Sequence, residues 1–558
     1  MTRRLRRPAL PGLTALALVL AAHAAVAQTA TGEIGAVQRL EREQLERLRQ
    51  EQRLQQRPVT PGIDLPATPA AGEASQVRNI AVRRFELDRS EILSDAELRA
   101  ALAPYENRTL SLADLFDAVA AINRRYDERG MPTARAVLPA QDIRDGVVRI
   151  RLVEARVGRV EVQAQHHVTP DFVRERLRVR EGSLLSVPEL ETDLVRFNRL
   201  HQAQLRASVK PGEASGTTDV QLMAQEPAPR RVSVYVDNAG RSTVGEWRMG
   251  VLGQWNGLRG SDDSLQLSAV AAAGSTSLAA AYSTAISPRD WRLDTSFNVD
   301  RIKIIDGPFE PLDIGGSAHA ISVGVSRPLL VDAQRLWLGY ARLSSKNSKS
   351  TFGGVTQLST DITLLTLGAS GDRLTADSTW TYDLNLNAGT ASPSAESNFW
   401  YLRGSTAWLR SFGPRTQLLL RGGLQASPSD LLPSSEQFQV GGSASVRGYS
   451  EGLLTGRSGY FASAELRRRL YTPAEGSGGP HVTGLAFIDH GGAFPFRPEP
   501  LSDITKADFL SSAGLGLVAE WGPRVQARLT LGWPLRNESA EAERKRTRLH
   551  ASITVNWP

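Results

Sequence analysis

The residues best suited to buried polar chemistry lie in one Gly-rich run of the 558-residue sequence, SDLLPSSEQFQVGGSASVRGYSEGLLTGRS, at Val446-Arg447-Gly448-Tyr449. As a bare tetrapeptide this reads either as an ordinary turn or as a functional loop. A guanidinium held inside a protein requires a carboxylate partner, because leaving either unpaired in a partly dry site costs several kcal/mol. The run has no phosphate-loop Lys, so nucleotide binding is not supported. A second cluster, His166-His167, supplies two imidazoles without a third ligand nearby and reads as an exposed turn between a strand and a helix. The chain has no cysteine, which excludes disulfides, thiolate metal sites, iron–sulfur clusters and a cysteine nucleophile. No Ser/His/Asp arrangement can be assembled from residues that the pattern places together. The sequence therefore predicts no enzyme, no metal and no cofactor.

A composition of 41% hydrophobic and 22% charged residues excludes both a disordered chain and a helical membrane protein. The 48 Gly with 10 Trp, 10 Tyr and only 4 Met favour strands and turns over packed helices. The formal charge is +7, but Arg3, Arg4, Arg6 and Arg7 lie in a segment expected to be removed, leaving the mature chain near +3. The charge is thus no argument for a nucleic-acid partner.

Residues 1–27 read as a secretory signal peptide: basic to Arg7, apolar from Leu13 to Leu20, then Ala25-Val26-Ala27 as a small-residue cleavage site. The apolar run is too short to span a core of about 30 Å. No later window offers a transmembrane helix, so the exported chain is either soluble or a membrane β-barrel. Residues 28–56 predict a polar helix of about 35 Å over 34–56, with five Arg and four Glu and a thin stripe at Val37, Leu40, Gln44, Leu48 and Gln55. It fits either a solvated or coiled-coil helix, or a plug in a polar cavity. Residues 57–76, with Pro58, Pro61, Pro66 and Pro69, read as a tether.

Residues 77–155 run β-α-α-β-β: a strand at 82–88, helices opened by Ser94 and Ser111, a stop at Gly130, then strands at 134–143 and 146–155 joined at Asp145-Gly146. Residues 156–227 repeat that order, which is an internal repeat of roughly 75 residues.

From residue 228 to 558 the period becomes two. Trp291, Leu293, Thr295, Phe297 and Val299 oppose Arg292, Asp294, Ser296, Asn298 and Asp300, and the pattern recurs in sixteen segments, many about ten residues long. Trp247, Trp380, Trp400, Tyr401 and Trp521 stand near segment ends, as in the aromatic girdles of outer-membrane barrels. The predicted class is therefore two α+β modules followed by a sixteen-stranded transmembrane antiparallel β-barrel. The Gly-rich loop, 427–458, lies between the eleventh and twelfth strands and by parity begins on the outer surface.

Taken together, the polar helix, the linker, the two modules, the barrel and the V-R-G-Y loop resemble a two-partner secretion transporter of the TpsB family (FhaC- and ShlB-like), in the superfamily that includes BamA. The repeated modules resemble POTRA domains. The resemblance covers essentially the whole mature chain. It implies that 34–56 is a plug helix and that the loop folds into the lumen. There Arg447 would pair with an Asp near the C-terminal end, matched here by Asp489 in Phe487-Ile488-Asp489-His490-Gly491-Gly492. It further implies an outer-membrane location with periplasmic modules, a secreted TpsA-like exoprotein as cargo, outer-membrane lipid around the barrel, and the barrel-assembly machinery during biogenesis. Cargo folding outside the cell would drive transport. Rival readings are a barrel insertase, which carries more POTRA modules, and a passive porin, which needs none. The chain also ends Trp557-Pro558, where such barrels finish on an aromatic residue.

Overall fold

The computed structural model describes residues 62–64, 79–131, 133–214, 216–307, 310–393, 397–429, 432–494, 508–536 and 547–557, with Gly35, Arg39, Gln50, Glu51, Arg53 and Leu54 in the N-terminal region. The expected signal peptide and most of the expected plug helix and linker lie outside these residues. Two compact units are present: Val59–Pro227 with Arg259–Asp262, and Ala228–Leu258 with Asp263–Pro558 and the N-terminal region.

In the first unit, residues 80–154 form one module. The expected strand at 82–88 is divided into Ile80–Val82 and Arg84–Leu87. Helix Asp95–Leu102 begins in a capping box, in which Glu97 N–H donates to the Ser94 hydroxyl and the Glu97 carboxylate accepts from Ser94 N–H. Helix Leu112–Glu128 begins in the same way at Ser111 and Asp114. Its Leu115, Val119, Ile122 and Tyr126 recur at helical spacing and are buried. Gly130, at φ +70°, provides the left-handed turn that ends it. Ile122, Leu98, Leu102, Ala136 and Ile150 share one core, each large aliphatic contributing about 1.5–3 kcal/mol by burial. Asp145 and Gly146 do take positive φ, but the hairpin is wider than the sequence suggested. Val137 pairs with Arg151, so the connection runs from 138 to 146 after Pro139 ends the strand.

The second module contains strands Arg156–Gln163, Gln204–Pro211 and Thr217–Gln225 with helices Pro170–Arg174 and Val187–Leu200. Leu190, Leu194 and Phe197 line the buried face of the longer helix. Within the segment expected as a tether, Ile63–Asp64 adds a parallel strand to the outer edge of Gln204–Pro211, pairing with Ala207 and Ser208. Ala207 N–H donates to the Gly62 carbonyl at 2.9 Å.

The second unit is a closed barrel of sixteen strands, the first (Arg230–Asp237) pairing with the last (Arg548–Trp557) from Val232↔Trp557 to Asp237↔Ser552. Closure leaves no strand edge to face lipid. Phe297, Ile321, Trp380, Leu384 and Ile553 point outward and are exposed, whereas Asp300, Thr381 and Asn387 point inward and are buried. Trp247, Trp380, Trp400 and Trp521 are likewise exposed, as a girdle requires, but Tyr401 is only 1% exposed and faces the lumen. The middle strands exceed the expected ten residues: Ile314–Val331 and Arg335–Phe352 have 18 each and Val355–Leu374 has 20. The described N-terminal residues are helical, and Leu54 packs against inward-facing Ala407 and Leu419.

Candidate functional site

The loop between the eleventh strand (Thr416–Ala426) and the twelfth (Ser458–Tyr471) turns into the barrel. Its limbs pair as a short two-stranded sheet, Phe438–Val440 with Leu454–Gly456. Phe438 and Val440 of that sheet, with Val446 and Tyr449 beyond it, cluster with Ala493 and Leu510 of the wall, so apolar contact seats the loop on the barrel. The Tyr449 hydroxyl donates to the Ser511 and Arg536 carbonyls at 3.1 and 2.8 Å. Gly448 sits where a Cβ would come within 2.6 Å of Ser512 Cβ and 2.9 Å of the Pro534 nitrogen, so no larger residue fits that approach.

Arg447, 2% exposed, lies at the tip. Its Nε and Nη2 donate to the two oxygens of Asp489 at 2.9 and 2.8 Å, and its backbone N–H donates to Asp489 at 3.1 Å. Nη2 also reaches the Ser463 hydroxyl at 3.1 Å, and Nη1 pairs with Glu465. The guanidinium carbon stands 3.5 Å from the centre of the Phe487 ring, a cation–π stack. This explains why Asp489 shares its strand face with apolar residues. All of Leu485, Phe487 and Asp489 are buried on the lumen side, and the phenyl ring forms the floor under the arginine. Fork geometry suits this site, since two carboxylates and a hydroxyl are met by one planar group.

Glu465 was not foreseen. It is 1% exposed, and Arg467 Nε at 2.7 Å and Arg528 Nη2 at 3.3 Å join Arg447 on it. Arg528 in turn lies 3.5 Å from Glu51 of the N-terminal helix. The chain of charges thus runs from that helix through the wall to the loop tip. The only available signal was an acid at lumen parity beside the Arg467–Arg469 run, which reads equally as a solvated polar face.

His166 and His167 depart from the expected exposed pair. His166 is exposed, but His167 is 2% exposed, with Nε2 2.8 Å from Asp262 Oδ1. His201 Nδ1 lies 2.9 Å from the other Asp262 oxygen, and Gln202 N–H donates to Asp262 at 2.9 Å. No group of side chains able to hold a metal ion occurs among the described residues. Nearby, backbone N–H groups of Gln165, His166 and His167 donate to Glu226 at 2.7–2.8 Å. Burial pushes the Glu226 carboxyl up, but these N–H groups outweigh it and hold it below the usual carboxylate range.

A sixteen-stranded barrel occupied by its own loop, preceded by a POTRA module, makes an outer-membrane β-barrel of the POTRA-bearing class. Residues 216–517, more than half the chain, match the family described as haemolysin secretion/activation protein ShlB/FhaC/HecB, and residues 80–155 match the ShlB-type POTRA domain. The chain belongs to that family of two-partner secretion transporters, which are channels and not enzymes, and it resides in the bacterial outer membrane with its POTRA domains in the periplasm. It is 25% identical over 518 residues to the outer membrane transporter CdiB of Dickeya dadantii, covering 87% of this chain and 88% of that one. It is 24% identical over 490 residues to the heme/hemopexin transporter protein HuxB of Haemophilus influenzae, covering 83% and 84%. The solved structure of CdiB from Escherichia coli has the same fold, with TM-score 0.65, 21% identity, and coverage of 94% of this chain and 98% of that one.

Proposed function

We propose that the protein carries one unfolded exoprotein, of the haemolysin/haemagglutinin-like TpsA type, from the periplasm to the cell surface. The observation that carries this reading is the Arg447 loop folded into a closed barrel and clamped there by Asp489 and Glu465. A passive pore has no need for such a removable internal obstruction. Cargo would be received in extended form by the modules, where main-chain hydrogen bonds tolerate many sequences. The pairing of Ile63–Asp64 on the edge of Gln204–Pro211 supports this, because that edge accepts an added strand. The helix containing Glu51 and Leu54 then leaves the lumen, and the loop tip sets the width of the path. Outer-membrane lipid surrounds the barrel, and the barrel-assembly machinery inserts it.

The test compares culture medium and outer-membrane proteins with and without the gene. Loss of one large exoprotein from the medium, with other barrels unchanged, is expected. Depletion of many outer-membrane barrels would instead identify an insertase. In the same assay Arg447→Ala is expected to abolish secretion while leaving the barrel assembled, and normal secretion by that variant would refute the role of the loop tip.

A further inference from the structure

The loop is held to the wall at a second place, about which the tip says nothing. On its ascending limb, the short turn Ser434–Glu436 buries Glu436 completely. One carboxylate oxygen accepts from Lys346 Nζ at 2.6 Å and from the Ser435 hydroxyl at 2.8 Å, and the other accepts from the Tyr401 hydroxyl at 2.7 Å. Lys346 and Tyr401 belong to strands Arg335–Phe352 and Asn398–Phe412, well away in barrel order from the strand of Asp489, His481–Phe494. A third wall residue ties both limbs together: Gln425 donates to the Glu436 carbonyl at 2.9 Å and to the Arg457 carbonyl at 3.0 Å. Gln425 is itself oriented by Arg403, whose Nε donates to it at 2.9 Å.

We propose that Glu436 is a positioning residue, paired with Lys346 and Tyr401, that fixes the root of the loop and thereby the line along which the Arg447 tip enters and leaves its seat. Between root and tip the loop forms a two-stranded sheet whose apolar side chains pack on Ala493 and Leu510 of the wall, which makes it one folded body. A body of that kind needs a fixed root if its tip is to return to one place. A fully buried carboxylate against a nearly buried ammonium is a costly way to make an ordinary turn, since loss of either partner strands the other charge away from water. Both groups are therefore placed for geometry.

This inference rests on the transport reading only for its effect on secretion. The effect on the channel stands apart and is measured first. Full-length protein in planar lipid bilayers, with gel mobility reporting the folded barrel, is compared for the native chain, Lys346→Met, Glu436→Gln and the charge exchange K346E/E436K. Each single variant is expected to raise the open-channel fraction by at least about tenfold with the barrel folded, because the buried Lys346–Glu436 ion pair is broken. The exchange is expected to restore the native value to within about threefold, the signature of coupled neighbours. Native-like conductance in both singles, or an exchange no better than the singles, overturns the proposal. If the singles do not yield a folded barrel, Tyr401→Phe, which deletes one hydrogen bond, must shift conductance in the same direction, and an unchanged channel overturns the idea. Should conductance respond as expected in a protein that secretes nothing, the transport reading alone fails. Should the native chain secrete and the root variants match it throughout, only the present inference fails.

Discussion

Every nitrogen of the Arg447 guanidinium has an acceptor, and two of its acceptors are carboxylates buried on the wall. Lysine at this position would be a single point donor on a flexible stem, unable to bridge Asp489 and Glu465 together. Arg447→Lys is therefore expected to lose secretion nearly as fully as the alanine variant, read as exoprotein in the medium with equal barrel in the membrane. Glu465→Gln leaves Arg447, Arg467 and Arg528 sharing one fewer negative charge. A loss of about 3–5 kcal/mol is expected, measured as the urea concentration at which gel mobility reports the barrel unfolded. Asp489 was found in the sequence through the family resemblance carried by its motif. Glu465 and Lys346 were not, because an acid or a lysine on the lumen side of a strand looks the same whether water or a loop lies opposite, and Glu436 in its loop turn looks like any solvated acid. What decides is a partner 18 to 90 positions away, and neither period nor composition records it.

Individual elements divide differently. The helix starts at Ser94 and Ser111 and the stop at Gly130 were legible because capping and left-handed turns are local chemistry. The sixteen strands were legible because barrel walls alternate at period two, although their lengths were not: pairing between neighbours, not alternation alone, extends Arg335–Phe352 to 18 residues. The burial of His167 is not legible in the sequence, since its partner, Asp262, is 95 positions on. The Glu226 carboxylate belongs to this scale as well. With its folded pKa lowered, it contributes stability that is present above the ordinary carboxylate pKa and is lost as pH falls through the lowered value. Glu226→Gln is expected to speed amide exchange at residues 165–168 relative to the native chain at pH 7, the two converging once the native carboxylate is protonated in acid. Equal exchange at pH 7 would show that the collar of N–H groups does not depend on the charge.

For the molecule as a whole, the barrel is a closed ring that contains its own obstruction. Leu54 packs against Ala407 and Leu419, and Glu51 reaches Arg528. Deleting residues 28–56 is expected to increase single-channel conductance in planar bilayers severalfold, and Glu51→Gln to give a smaller rise in the same direction. An unchanged channel after the deletion would mean that the helix does not fill the lumen.

The long middle strands have one more consequence. Tilted strands cross a bilayer in roughly ten residues, yet Ile314–Val331, Arg335–Phe352 and Val355–Leu374 run on together towards a turn at Gly353-Gly354, paired as far as Ile314↔Phe352 on one side, while Val355–Leu374 meets the following strand only from Asp361 onward. Chain parity puts this extension outside the cell, where residues 355–360 pair with Arg335–Phe352 but not with the following strand. Both turn glycines have positive φ and open space around them. The tip is thus open to antibodies and phages, and a natural place to graft an epitope tag that reports folding from the outside of a living cell.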